Sequence, residues 1–179
     1  MKFKAQIMDE LSVKRAMTRI SFEIVERVDL QNALLVGIKT RGVPLAKRIK
    51  ENILASSGAD LEVYELDITH FRDDVSSEVR VNHSGFDLPA ENKDVILVDD
   101  VLFTGRTTRA AIEAIMASGR AKSIRLAVLV DRGHRELPIR PDFVGKNVPT
   151  SKDEHISVCV KEIDDCLCVN LVKNSLRKG

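Results

Sequence analysis

From Asp9 to Val28, apolar residues return every three or four positions: Val13, Met17, Ile20, Ile24 and Val28. That spacing predicts a helix with one core-facing stripe. On a helical wheel Arg15, Arg19, Phe22 and Glu26 fall on the opposite side, where Phe22 is out of place. Leu34–Lys39 (LLVGIK) reads as a short buried strand running into Thr40-Arg41-Gly42, and a helix follows from Pro44 to about Ser56, stopped at Gly58. Leu61–Ile68 predicts a second strand. Periodicity then disappears from Arg72 to Asn92, a polar stretch of the kind that forms a functional lid or is disordered. Val95–Val98 is a continuous apolar run, as in a parallel strand buried on both faces, with a helix over Arg109–Ser118 after it. Ile124–Val130 predicts another strand. Asp131–Ser151 reads as irregular, and Ile156–Ile163 and Leu167–Val172 as two closing strands joined around Asp164-Asp165.

Strands alternating with helices predict an α/β fold, an open, mostly parallel sheet flanked by helices with its ligand at the carboxyl ends of the strands. A chain of 179 residues suits a single domain over 1–179, with the closing strands as a small subdomain over one edge of the sheet. Aromatics are only 4% of the residues against 44% hydrophobic, so the core is aliphatic. A net charge of +1 supplies no general attraction to nucleic acid or membrane, and any basic surface must be local. Cys159, Cys166 and Cys168 cluster near the end of the sequence. A metal there would need further ligands, none of which is evident, so reduced thiols are expected. No segment approaches the length of a membrane span, and Met1-Lys2-Phe3-Lys4 lacks the apolar run of a signal peptide; a cytoplasmic protein with no membrane partner is expected.

The chemistry concentrates in Val95–Thr108, VILVDDVLFTGRTT. Two carboxylates, Asp99 and Asp100, leave the apolar strand, and a loop with Gly105 among the hydroxyls of Thr104, Thr107 and Thr108 opens into the helix. Free backbone N–H groups at a helix start suit a phosphate. Carboxylates suit sugar hydroxyls or magnesium. A phosphorylated ribose answers both halves.

This segment resembles the signature of the type I phosphoribosyltransferases, which bind 5-phosphoribosyl-1-pyrophosphate (PRPP). The resemblance implies that Asp99 and Asp100 hold the ribose 2′ and 3′ hydroxyls, and that Thr104, Gly105, Arg106, Thr107 and Thr108 cradle the 5′-phosphate. The pieces MTRI (Met17–Ile20), GIKTRG (Gly37–Gly42), DITHFRDD (Asp67–Asp74) and VLVDRGHRELPIRPDFVGKNVPTS (Val128–Ser151) are similar to one subfamily, the pyrimidine-operon attenuation regulators (PyrR family). That likeness implies transfer from PRPP to uracil, giving UMP and pyrophosphate with Mg²⁺, and a homo-oligomer that binds messenger RNA leader in the presence of UMP. The Mg²⁺ needs no dedicated set of protein ligands, because pyrophosphate, ribose hydroxyls and water can hold it. Thr40, Arg41, Gly42 and Arg72 are then expected at the pyrophosphate, with Asp99, Asp100 and Arg72 the catalytic group. The likeness also implies a flexible lid at about 72–92 and a hood at about 131–179 that reads the base, with Arg132 a positional candidate.

For RNA the candidates are Thr18 and Arg19 on the first helix and His134, Arg135, Arg140, Lys146 and Lys152 in the hood. Arg132–Lys152 carries five basic side chains against Glu136 and Asp142, the local excess that phosphate contacts require. By composition alone, a solvated loop or subunit contact competes with that reading. Phe22 stands where members of the family tend to carry histidine. Two other functions stay open: transfer to a purine base, and PRPP sensing without turnover.

Overall fold

The computed structural model describes residues 2–71 and 88–173. In chain order the elements are β1 (Lys2–Met8), α1 (Glu10–Arg27), β2 (Ala33–Ile38), α2 (Gly42–Ser57), β3 (Val63–Leu66), β4 (Asp94–Leu102), α3 (Arg106–Ser118), β5 (Ser123–Asp131), β6 (Phe143–Asn147), β7 (Glu154–Cys159), α4 (Lys161–Asp164) and β8 (Cys168–Lys173). Five strands form one sheet in the order β3-β2-β4-β5-β6, with every neighbouring pair parallel.

Both faces of this sheet are buried, which explains the unbroken apolar runs. Leu35, Ile96, Val98, Ala127 and Leu129 point to one side, against Met17, Ile20 and Ile24 of α1 and Leu45, Ile49 and Ile53 of α2. Their strand neighbours Leu34, Val36, Val95, Leu97 and Val128 point to the other side, against Ala110, Ala111, Ala114 and Ile115 of α3. The small alanines let α3 lie close to the sheet. Since α2 follows β2 on one face and α3 follows β4 on the other, the loops after these adjacent central strands diverge. A crevice opens at their carboxyl ends.

The stripe expected on α1 is buried throughout, and Asp9 caps the helix by accepting from the Ser12 N–H at 2.8 Å. Phe22 is 51% exposed on its outer face. A second, antiparallel sheet in the order β1-β8-β7 forms the hood. Its Val158, Val160, Leu167 and Val169 join the core that α1 and α2 cover.

Several expected boundaries move. β1 is a strand with no sequence forecast, because KFKAQIM is largely exposed and gains its backbone partners only from β8. β6 forms inside the stretch expected to be irregular. Phe143 is buried there, and Asp142 accepts from the Leu126 N–H at 2.8 Å beside the new edge. Residues 161–164 are a helical turn, not the end of a strand. Of the expected lid, 72–87 lie outside the described residues, whereas Leu88 and Ala90 are fully packed in the α3-side core. An apolar pair so placed anchors the segment before β4.

Candidate active site

β4 delivers the acidic pair to the crevice. Asp99 is 8% exposed and accepts from the Asp100 N–H at 2.9 Å, and Asp100 accepts from the Val101 N–H at 2.8 Å. Each carboxylate is thus oriented by the backbone one residue on. Burial drives the Asp99 pKa well above the ordinary carboxylate value, and the charge of Asp100 adds to the rise. Asp100 is also raised by burial, opposed by hydrogen bonds from its neighbours and by the positive charge of Arg41.

The turn after β2 faces this pair. The Lys39–Thr40 peptide is cis. Gly42 opens α2 so close to β4 that a Cβ there would sit 2.4 Å from the Val98 carbonyl oxygen. The first turn of α2 has no side-chain cap, which leaves its N–H groups for an anion. Arg41 donates from Nη2 to Asp164 Oδ1 at 2.9 Å, while its buried Nε has no hydrogen-bond partner among the described residues. Together these elements line a cleft of about 430 Å³, bounded by Ile38–Arg41, Asp67–Thr69, Asp99–Val101 and Thr107.

α3 starts beside the cleft. Its N-cap is Gly105 in the left-handed region (φ 93), with no side chain closing the helix end. A Cβ at Gly105 would meet Leu137 and Ile139 at 3.5 Å, so the loop is seated on the hood. The Glu136 and Leu137 N–H groups donate to the Thr104 carbonyl at 2.9 and 3.2 Å, and Arg106 pairs with Glu136 at 2.7 Å.

Comparison with known proteins settles the family. A model of the phosphoribosyl transferase domain matches residues 4–163. The bifunctional protein PyrR of Acetivibrio thermocellus is 52% identical over 180 residues, covering 98% of this chain and 97% of that protein. The bifunctional protein PyrR of Clostridioides difficile is 56% identical over 165 residues, covering 90% and 93%. The chain belongs to the PyrR family of phosphoribosyltransferases. A hypoxanthine phosphoribosyltransferase from Staphylococcus aureus superposes with a TM-score of 0.74 at 18% identity, covering 99% of this chain and 96% of that one; at this distance it speaks for the fold alone.

In this PyrR-family chain the cleft gathers Thr40, Arg41, Asp99, Asp100 and Thr107 from the residues singled out in the sequence. Thr108 turns inward and is 1% exposed, because α3 begins three residues earlier than its apolar pattern suggests. Arg72 lies outside the described residues. Lys39, Asp67 and Thr69 line the cleft without having been assigned. Asp67 accepts from both the Thr69 N–H, at 3.0 Å, and its hydroxyl, at 2.6 Å. The signal for them was their place just past the carboxyl end of β3.

Arg132 is 3% exposed and braces the hood. Nε donates to Thr150 Oγ1 at 3.0 Å, Nη2 donates to the Glu154 carbonyl at 2.7 Å, and the guanidinium covers the Phe103 ring at 3.9 Å. Arg135 is likewise engaged, with Asp131 and with the carbonyls of Phe103 and Ile139, and His134 bonds the Thr150 carbonyl. Arg19 reaches from α1 to the carbonyls of Val144 and Gly145 on β6, and Lys146 lies 3.5 Å from the Ile7 carbonyl. Thr18, Arg140 and Lys152 are exposed. The seven candidates therefore divide: His134 and Arg135 pack with the loop beside the cleft, Thr18, Arg19 and Lys146 belong to α1 and β6, and Arg140 and Lys152 lie in the segments just before β6 and β7.

Proposed function

We propose that this chain is a cytoplasmic, homo-oligomeric uracil phosphoribosyltransferase that also binds the messenger leader of pyrimidine genes. One observation carries the enzymatic reading: the Asp99–Asp100 pair, the Arg41 turn and the start of α3 surround a single cleft. A phosphorylated ribose needs all three. Asp99 and Asp100 accept from the ribose 2′ and 3′ hydroxyls. The loop Thr104–Thr107 and the uncapped start of α3 take the 5′-phosphate, and Thr40–Gly42 with the unpartnered Arg41 Nε take the pyrophosphate.

In the reaction the bond from ribose C1 to the pyrophosphate oxygen breaks and a bond from C1 to uracil N1 forms, with loss of the N1 proton. Positive charge develops on the ribose beside Asp99 and Asp100, whose carboxyl groups are oriented by the backbone to oppose it. Asp100, the less buried of the two, is placed to influence the departing proton. The Arg41 guanidinium answers the negative charge that grows on the leaving group. Magnesium, when bound, neutralises pyrophosphate charge. Asp99 and Asp100 would act on the ion through the ribose hydroxyls they hold, with pyrophosphate and water supplying its other oxygen ligands.

Uracil specificity rests on the family and on the hood. Because the Arg132 guanidinium is committed to Thr150 and Glu154, its role in this reading is to hold the hood backbone that meets the base. The test offers uracil, hypoxanthine, guanine and adenine with PRPP and Mg²⁺ and measures pyrophosphate release. Uracil-dependent release is expected. Activity with a purine but not uracil overturns the assignment, and PRPP binding without turnover favours a sensor.

The RNA reading has its own support. Lys14, Arg15, Thr18, Arg19 and Phe22 line a shallow depression of about 410 Å³ on α1. Exposed Phe22 gives an unpaired base a face to stack on, and the flanking cations give its phosphates partners.

A further inference from the structure

Three sulfurs converge where the hood hairpin turns. Cys159 ends β7 and Cys168 begins β8, and the antiparallel register sets them opposite each other. Between them α4 and a left-handed Asp165 (φ 57) fold the chain back and bring Cys166 to the pair. All three Sγ atoms lie within 4.8 Å of one another, with Cys166 and Cys168 at 4.0 Å, and all three are free thiols. These are all the cysteines of the chain. Sequence spacing offered no complete ligand set, because the pairing of β7 with β8 is what places Cys159 beside the other two.

We propose that Cys159, Cys166 and Cys168 form a three-sulfur binding site for a soft d¹⁰ metal ion, Cu⁺ or Zn²⁺. Thiolates bonded to one ion at about 2.3 Å stand roughly 3.8–4.0 Å apart, so closure of the site needs sulfur movements of less than about 1 Å. Sulfur ligands select soft ions over the hard magnesium suited to the cleft. No histidine or carboxylate joins the group among the described residues. A three-sulfur set of this kind fits trigonal Cu⁺, or Zn²⁺ with water as its fourth ligand. Two further features favour occupancy. Cys166 is exposed and gives an ion a way in from solvent, and Asn170 Nδ2 donates to Cys168 Sγ at 3.4 Å, the kind of outer contact that orients a sulfur ligand. A bound ion would clasp both ends of the segment carrying Asp164, the partner of Arg41.

The test uses the full chain, reduced, stripped by a chelator and kept anaerobic. It is titrated separately with Zn²⁺ and Cu⁺, with Co²⁺ as the spectroscopic probe. One ion per chain is expected, with a near-ultraviolet sulfur-to-cobalt band that Zn²⁺ abolishes. Cys166→Ser changes an exposed position, so it spares the fold. It is expected to weaken binding by at least about 100-fold, the upper end of what loss of a mere outer contact does. Stoichiometric uptake of either ion supports the site and names its occupant. Uptake of neither, a cobalt complex without the sulfur band, or unchanged binding by Cys166→Ser overturns it.

Discussion

Gly42 and Val98 touch backbone to backbone: a Cβ on residue 42 would lie 2.4 Å from the Val98 carbonyl oxygen. Val98 immediately precedes the acidic pair, so this contact sets the Thr40–Gly42 turn beside the carboxylates in one cleft. Gly42→Ala must push the two apart. Overpacking of this kind costs about 1–3 kcal/mol, or several degrees in Tm for a chain of this size. Scanning calorimetry is expected to show that drop, accompanied by a higher KM for PRPP. A variant with wild-type melting and KM would mean that the turn is not held by this contact.

Asp99→Asn is expected to separate stability from activity. Burial raises the Asp99 pKa above its ordinary 3.8, so the folded state binds this proton more tightly than the unfolded chain does. Its stabilising contribution is complete below pH 3.8 and is lost as pH rises toward the folded-state pKa. A neutral amide avoids that loss and still accepts from the Asp100 N–H. Asp99→Asn should therefore melt higher than the parent at neutral pH, with the advantage shrinking toward pH 3.8. Turnover should fall by roughly 100-fold or more, as when one preorganised electrostatic group is removed. Asp100→Asn is expected to lose activity similarly; near-parental rates in both variants would place the chemistry elsewhere.

Removal of positive charge at the leaving group has a different signature. Arg41→Ala and Arg72→Ala are each expected to lower kcat by roughly 100-fold, as measured by uracil-dependent pyrophosphate release. Asp164→Asn keeps the shape of the Arg41 partner but removes its charge, and it should leave kcat within about tenfold of the parent, as befits a group outside the developing charge. Equal losses in Arg41→Ala and Asp164→Asn would show that Arg41 serves the hood and not the reaction.

RNA binding is expected to respond to another set of residues. Phe22→Ala, Arg140→Ala and Lys146→Ala should weaken a gel-shift complex with the organism's own pyrimidine leader transcript while uracil turnover stays nearly intact. Each lost phosphate contact should flatten the dependence of log affinity on log salt by about one unit. UMP should strengthen the parental complex. Binding indifferent to all three substitutions would remove α1, β6 and the segment before β6 from the interface.

Much of this architecture is legible in the sequence, for physical reasons that differ by element. β2, β4 and β5 are buried on both faces and so must be continuous apolar runs; α1 is buried on one face and so must show a stripe. Asp99 and Asp100 stood out because two carboxylates at the end of such a strand need a ligand or a cation. β1 and β6 did not stand out, because their order comes from partners far along the chain, as in the pairing of Lys2 with Lys173. Asp67 and Thr69 were missed for a related reason: nothing local marks a polar residue as facing a crevice that only the parallel sheet creates. Thr108 was read as a phosphate contact, and its burial follows from the helix phase, which the sequence placed three residues late.

The hood sheet unites opposite ends of the described chain, whereas the five parallel strands all lie between Ala33 and Asn147. Pairing β1 with β8 closes a very long loop, and although its entropy grows only logarithmically, such a contact forms late in folding. The parallel-sheet half of the molecule can then take shape before the layer tied to its rim by Arg41 and Asp164. The same order reversed predicts that under mild stress the hood loosens first, while the parallel sheet keeps its hydrogen bonds. Hydrogen exchange would then divide the chain along that seam, with early exchange in β1, β7 and β8 and late exchange in β2, β4 and β5.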